Sequence, residues 1–277
     1  MADSRIIMDS AGDLQELEGA AFASVPLTIQ TEQKEFVDNE TTDVGHMVNF
    51  LQQYKGRAST ACPGVGDFLE KFGEAKEVFC ITITSGLSGS YNAAKIAAKT
   101  YLEEHPDRKV HVFDSLSAGP EMALLAEKVR DLIHKKVPFD AIVSQVEEYR
   151  QRTHLLFSLE SLHNLANNGR VPAAVAKIAG ILGIRLLGKA SDEGTLEPMS
   201  KVRGEAKLNG ELMNSLIRMG YNGGKVRITH CFNEAAAIKL RESICEKFAN
   251  ADVTISAARA LCSFYAERGG LLIGFEG

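Results

Sequence analysis

Over the first 150 or so residues, short apolar, β-branched runs alternate with segments whose apolar side chains recur every three or four positions. Ile6 to Met8, Ser24 to Ile29, Val78 to Thr84 and Val110 to Phe113 predict strands. Residues 43–54, 65–73, 88–104, 120–135 and 138–151 carry helical spacing. Strands that alternate with helices require crossover connections, so this half predicts an α/β unit built on a parallel sheet.

After Arg152 the rhythm changes. A strand-like "HLLFSL" leads to helical segments near 160–168 and 171–181, and then to "GIRLLGKASDEGTLEPMSKVR". There Asp192-Glu193-Gly194 interrupts two extended runs as a hairpin turn does. Two βα units follow, "KVRITHCF" into 233–248 and "DVTIS" into a small-residue stretch, before a final "LLIGF". The pattern predicts a second α/β domain with a mixed sheet, giving 1–152 and 153–277 as the two domains.

The chain is long enough for two cores: 277 residues, 45% hydrophobic and 24% charged. A formal charge of −5 and the lack of any Lys/Arg block argue against nucleic acid as a partner, so an anionic ligand has to be caught locally. The five cysteines form no C-x-x-C pair and several sit in apolar runs, which suggests a reducing cytoplasm, packed thiols and no zinc site. The start, "MADSRIIMDS", has no apolar signal core, and no run of 18 apolar residues predicts a membrane span.

The most informative junction is "VFCITITSGLSGSYNAAKIAAKTY", residues 78–101, where a strand passes into an alanine-rich helix through small hydroxyl and glycine residues. In open α/β sheets ligands collect at the carboxyl ends of strands, and a helix that starts there offers unpaired N–H groups and partial positive charge. Gly86 and Gly89 would let a ligand approach the backbone, while Ser88 or Ser90 would cap the helix or donate to an anion. Capping alone explains the serine equally well.

Other loop chemistries fit less well. A Walker loop needs Lys after its second glycine, where this chain has Ser90 and Tyr91. A nucleophile elbow needs G-x-S-x-G, and Gly86-Leu87-Ser88-Gly89-Ser90 ends in serine. A serine-dependent acyl hydrolase using Ser88 would draw on His230 and Asp114, the strand-end candidates, and a binder of a phosphorylated small molecule would use the same helix start.

Taken in order, the motifs resemble the DegV family of bacterial fatty-acid-binding proteins over essentially the whole chain. "IIMDSAGDL" resembles its D-S-x-x-D-L, giving Asp9 and Ser10, and "VPLTI" resembles its second strand. "STACPGVGDF" resembles T-S-Q-P-S-x-x-D-F, keeping Thr60, Pro63, Asp67 and Phe68. "SGLSGSYNAA" is similar to S-x-L-S-G-T-Y-x-S-A and places the serine-glycine pair on Ser88 and Gly89. "LESLHNLANNGRVP" resembles L-x-x-L-x-x-G-G-R-I, giving Arg170, and "KVRGEAKL" resembles K-V-R-T-x-x-K-A, giving Lys201 and Arg203.

The resemblance implies a long-chain fatty acid buried in the cleft between two α/β domains, its carboxylate held by Thr60, Ser88 and the N–H of Gly89. It also implies a protein that catalyses nothing itself and needs no cofactor, presenting the carboxylate to a separate fatty-acid kinase whose acyl phosphate feeds phospholipid synthesis. Burying roughly 15 methylenes at about 0.8 kcal/mol each supplies on the order of 12 kcal/mol, so affinity would come from an apolar tunnel and the hydroxyls would set orientation.

The chain departs from the family at three places. It has no histidine after His230, where the family carries one before G-P-G, and Tyr265 lies nearest that slot. Tyr265 would donate to the carboxylate there, or simply pack on the last strand. Ala61 replaces a serine and Arg185 a lysine. Asp9, Ser10, Arg170 and Arg203 are further candidates for ligand or partner contacts, although Asn167-Asn168-Gly169-Arg170 also reads as a helix C-terminus that favours a cation.

Overall fold

In the computed structural model, described for residues 3–172 and 183–277, the first half builds a four-stranded parallel sheet. Its strands are β1 (Ser4–Asp9), β2 (Phe22–Val25), β6 (Glu77–Thr82) and β7 (Lys109–Asp114), in the order β2-β1-β6-β7. Because successive residues of a strand point to opposite faces, both faces must be covered. Ile6, Met8, Phe79 and Ile81 pack against Met122, Leu125 and Val129 of α4 (Pro120–His134) and Ile142 and Val146 of α5 (Phe139–Arg150). Ile7, Val78 and Cys80 face α2 (Val65–Phe72) and α3 (Ser90–Glu104), whose Ala94, Ala97 and Ala98 let the helix lie close to the sheet.

The expected strand Ser24 to Ile29 is two strands in two sheets. Pro26 has no N–H and disfavours the helical region for Val25, so the chain leaves the parallel sheet there. It re-enters as β3 (Thr28–Gln30), paired antiparallel with β4 (Glu35–Val37) and β5 (Ser59–Ala61). This small sheet, which no sequence pattern announced, places Thr60 opposite Ile29. Helix α1 (Val44–Gln53) lies between β4 and β5 and is capped by Asp43, which accepts from His46 N–H at 2.9 Å.

From Thr153 onward the strands form a separate six-stranded mixed sheet in the order β10-β9-β8-β13-β11-β12. These are β8 (Thr153–Leu159), β9 (Ile184–Ala190), β10 (Leu196–Arg203), β11 (Gly224–His230), β12 (Ala251–Ala257) and β13 (Leu271–Glu276). Only β11 and β12 run parallel. Helix α6 (His163–Asn167) follows β8, and the helix expected over 171–181 falls almost wholly outside the described residues. Helices α7 (Glu205–Arg218) and α8 (Glu234–Lys247) cover one face through Leu208, Leu212, Leu216, Leu240 and Ile244. The hairpin at Asp192-Glu193-Gly194 forms as its turn residues predict, with Gly194 at φ +75°.

Two elements tie the sheets together. Helix α4 packs on the parallel sheet and also against β8, β11 and β13, where Glu127 binds Arg227 at 2.6 Å and Lys225 at 3.0 Å. Helix α9 (Ala260–Ala266), between β12 and β13, packs against α1 and β3.

Candidate functional site

A cavity of about 340 Å³ opens where these elements meet. Its apolar wall comes from both halves of the chain: Leu27, Ile83 and Leu87 on one side, Leu155, Phe157 and Leu272 on the other. Thr60, Ser88, Gly89, Arg170 and Tyr265 also line it, so five of the sequence-selected residues share one cavity. A wider, more open groove of about 770 Å³ lies against α1, α6 and α9, but its lining is rich in charged and amide side chains and includes none of those five.

The polar groups are neighbours of one another. Thr60, on β5, has its Oγ1 2.7 Å from the Tyr265 hydroxyl on α9. Burial pushes the Tyr265 phenol up, opposed by the Thr60 hydrogen bond and the nearby Arg170 charge, so it stays a neutral hydroxyl. Two residues beyond Thr60, the Cys62 sulfur lies 3.1 Å from where a Cβ on Gly89 would stand. Arg170 Nε donates to the Leu87 carbonyl at 3.2 Å, closing the set beside Ser88.

Each position has a local cause. Ser88 ends the loop after β6, and its Oγ accepts from Ser90 N–H at 3.2 Å and lies 3.1 Å from Ser90 Oγ. The hydroxyl therefore supports the first turn of α3 while facing the cavity. Gly89 occupies the cap position of α3, where the following N–H groups are unpaired by the helix itself. Arg170 is set by a Schellman motif: Gly169, at φ +72°, donates to Ala166 O at 3.0 Å, and Arg170 N–H donates to Leu165 O at 2.8 Å. That reverses the chain after α6 and brings the guanidinium to the cavity.

Other sequence-selected residues stand elsewhere. Asp9 and Ser10 are fully buried and do not line the cavity. Asp9 accepts from Ile83 and Ala11 N–H, and Ser10 Oγ accepts from Leu27 N–H at 2.9 Å, so they fix three residues that do line it. Arg203 is exposed at the end of β10, outside the lining. Arg185 is consumed by Glu160 and Glu205, each at 2.6 Å.

The loop's glycines divide in role. Gly86, a candidate for admitting a ligand, instead admits the β9–β10 turn: a Cβ there would stand 3.1 Å from the Gly194 carbonyl. Among the described residues, no histidine or carboxylate is hydrogen-bonded to Ser88. Ser88 Oγ is hydrogen-bonded to Ser90, the His230 ring accepts from Asn233 N–H at 3.4 Å, and Asp114 accepts from Ser85 and Leu116 N–H.

A buried charged cluster beside the cavity escaped sequence reasoning. Asp38 accepts from the Ala260 and Leu261 N–H groups at 3.0 and 3.1 Å, and Asp13 accepts from Arg259 N–H at 2.9 Å. The three residues hold the start of α9, the helix that carries Leu261, Cys262 and Tyr265 to the cavity. Its only sequence signal was an aspartate in D-S-x-x-D-L; its partner lies 246 residues away.

The model described as "Uncharacterised protein, DegV family" matches residues 4–276. A DegV domain-containing protein of Streptococcus pneumoniae is 43% identical over 276 residues, 98% of each chain. Among solved structures, a DegV family protein from Eubacterium eligens, loaded with heptadecanoic acid, superposes with a TM-score of 0.97 at 46% identity, covering 99% of both chains. The Streptococcus pneumoniae Fatty Acid Kinase (Fak) B3 protein, loaded with linoleic acid, gives 0.97 at 42% identity, covering 100% of this chain and 99% of the other. An α/β protein with a largely apolar cavity and a few clustered donors is a small-ligand binder in form. The chain belongs to the DegV family.

Among the described residues, no helix is long and apolar enough to cross a membrane, and no group of three or more His, Cys, Asp or Glu side chains is placed to hold a metal ion.

Proposed function

We propose that this chain binds a long-chain fatty acid in the cavity between units 1–152 and 153–277, with the carboxylate at Thr60, Ser88 and the N–H of Gly89. The observation that carries the reading is the cavity's make-up: apolar side chains from both sheets, and hydroxyl donors gathered where Thr60 meets Tyr265. A tail of methylenes gains most from the apolar wall, and neutral donors leave a carboxylate oxygen unblocked, whereas a bidentate guanidinium would cover both.

The chain then acts as a substrate-presenting protein in the cytoplasm, offering the bound carboxylate to a separate fatty-acid kinase that forms the acyl phosphate for phospholipid synthesis. Support for the partner is the likeness to the Fak B3 protein. Arg203, exposed at the end of β10, is then a candidate contact for that kinase. Hydrolysis at Ser88 is disfavoured by the serine's partners, and a phosphorylated ligand by the apolar wall.

The direct test is calorimetric titration of the delipidated chain with palmitate. Saturable one-to-one binding is expected, and the absence of any binding heat would count against the reading.

A further inference from the structure

The β9–β10 hairpin overhangs its own sheet. β10 lies at the sheet edge and pairs only with β9, and β9 pairs with β8 only from Leu186 to Lys189. Ala190 to Leu196 therefore project beyond β8, paired only with each other. The base of this arm is weak in both strands at one level. Pro198, which has no N–H, stands opposite Gly188, and the ladder shifts register between Pro198 and Ser200. The tip, by contrast, is tightly bonded to itself. Ser191 N–H donates to Thr195 O at 2.8 Å and Gly194 N–H to Ser191 O at 2.9 Å, while Ser191 Oγ accepts from Glu193 and Thr195 N–H at 3.2 and 3.1 Å.

That tip rests on the first half of the chain, beside the loop that carries Ser88. A Cβ on Gly194 would collide with Thr84 Oγ1 and stand 3.0 Å from the Leu116 Cα. Leu116 itself lies at φ +52°, uncommon for a bulky side chain. Thr84 O accepts from Leu87 and Ser88 N–H at 3.1 and 3.2 Å, so the residue under the tip also shapes the Ser88 loop. At the start of β10, Leu196 shares the cavity wall with Ile83, Leu87 and Ala118 of the first half.

Among the described residues, no hydrogen bond or ion pair joins 191–195 to the first half. The seam is van der Waals contact alone, so parting it leaves no buried donor or acceptor stranded. A compact tip, a weak base and a seam without polar bonds are the parts of an arm that swings as a unit.

We propose that the β9–β10 hairpin is a strap across the cavity, hinged at Gly188 and Pro198, and that a fatty acid enters and leaves beneath it. With the tip seated, Leu196 closes the wall against the first half; with the tip lifted, the seam opens beside the Ser88 loop. Gly194 is what permits seating, since at φ +75° and against Thr84 there is no room for a side chain. This rests on the fatty-acid reading above.

The test is stopped-flow mixing of the full delipidated chain with cis-parinaric acid, a naturally fluorescent long-chain fatty acid, to read its entry and exit rates. Gly194→Val props the tip off Thr84 and should raise both rates several-fold while Kd shifts less than either, because a gate is crossed in both directions. Thr84→Cys combined with Gly194→Cys would place two Cβ atoms 3.0 Å apart, a small shift from disulfide spacing. Oxidised, this pair should slow entry and exit several-fold, and dithiothreitol should restore both; Thr84→Cys alone should not respond. If Gly194→Val does not fold, the cross-linked pair decides, and if the disulfide does not form, Gly194→Val does. Parent-like rates in Gly194→Val, a rise in its exit rate alone, or rates unchanged by oxidation of the cross-linked pair overturn the strap alone. No fluorescence change on mixing the parent with cis-parinaric acid overturns the fatty-acid reading with it.

Discussion

The hydroxyl of Tyr265, on the helix before the last strand, meets the hydroxyl of Thr60, on a three-residue strand 205 positions earlier, at 2.7 Å. Tyr265 therefore stands on the cavity wall, joined to one of the residues proposed to hold the ligand. It was expected either to donate there or to pack on the last strand; it lies on α9, and its hydroxyl faces a polar partner.

Tyr265→Phe removes that hydroxyl and keeps the ring. Losing one neutral hydrogen bond costs about 1 kcal/mol, so fatty-acid affinity should fall only several-fold. Phosphorylation of the bound carboxylate by a matching kinase should fall further, because Thr60 loses the partner that orients it. Equal phosphorylation rates for variant and parent would reduce Tyr265 to packing.

Ser88 both supports the first turn of α3 and faces the cavity, so its two roles have to be separated. Ser88→Ala should weaken a fatty acid by roughly ten- to a hundredfold, the worth of a charge-assisted hydrogen bond of about 1.5–3 kcal/mol. The corresponding long-chain alcohol, which keeps the tail but has no charge, should be penalised less. Thr60→Val should show the same preference. If Ser88→Ala binds acid and alcohol as tightly as the parent while its melting temperature drops, the hydroxyl serves only the helix.

Burial raises Asp13 and Glu121 to about 7, well above the usual carboxylate range. Each folded group holds its proton where the unfolded chain has lost it, so the folded state binds more protons between about pH 4 and 7. Their contribution is full below pH 4, is lost as pH rises to 7, and is constant above that. Glu121→Gln, which retains polar partners for Ser117 and Thr153, should therefore show a smaller fall in urea-unfolding free energy between pH 5 and pH 8 than the parent. An unchanged fall would mean that Glu121 is ionised throughout.

Much of the framework was legible because burial on both faces leaves a continuous apolar run, as at Ile6 to Met8 and Val78 to Ile81. Turn chemistry was equally plain where backbone geometry demands it, at Asp192-Glu193-Gly194 and at Asn168-Gly169-Arg170. The small sheet was not, since three-residue strands such as Ser59–Ala61 carry no period and Pro26 splits an otherwise uniform run. At the site, motif order picked out Thr60, Ser88, Gly89, Arg170 and Tyr265, but not what Asp9 and Asp38 do. Their partners, Ile83 at 74 positions and Ala260 at 222, are set by tertiary packing alone.

A fatty acid held in the cavity should travel with the purified protein and be seen in the mass spectrum of its organic extract. Saturated or monounsaturated fatty acids are expected at close to one per chain. An extract without lipid, from protein that also gives no binding heat with added palmitate, would contradict it.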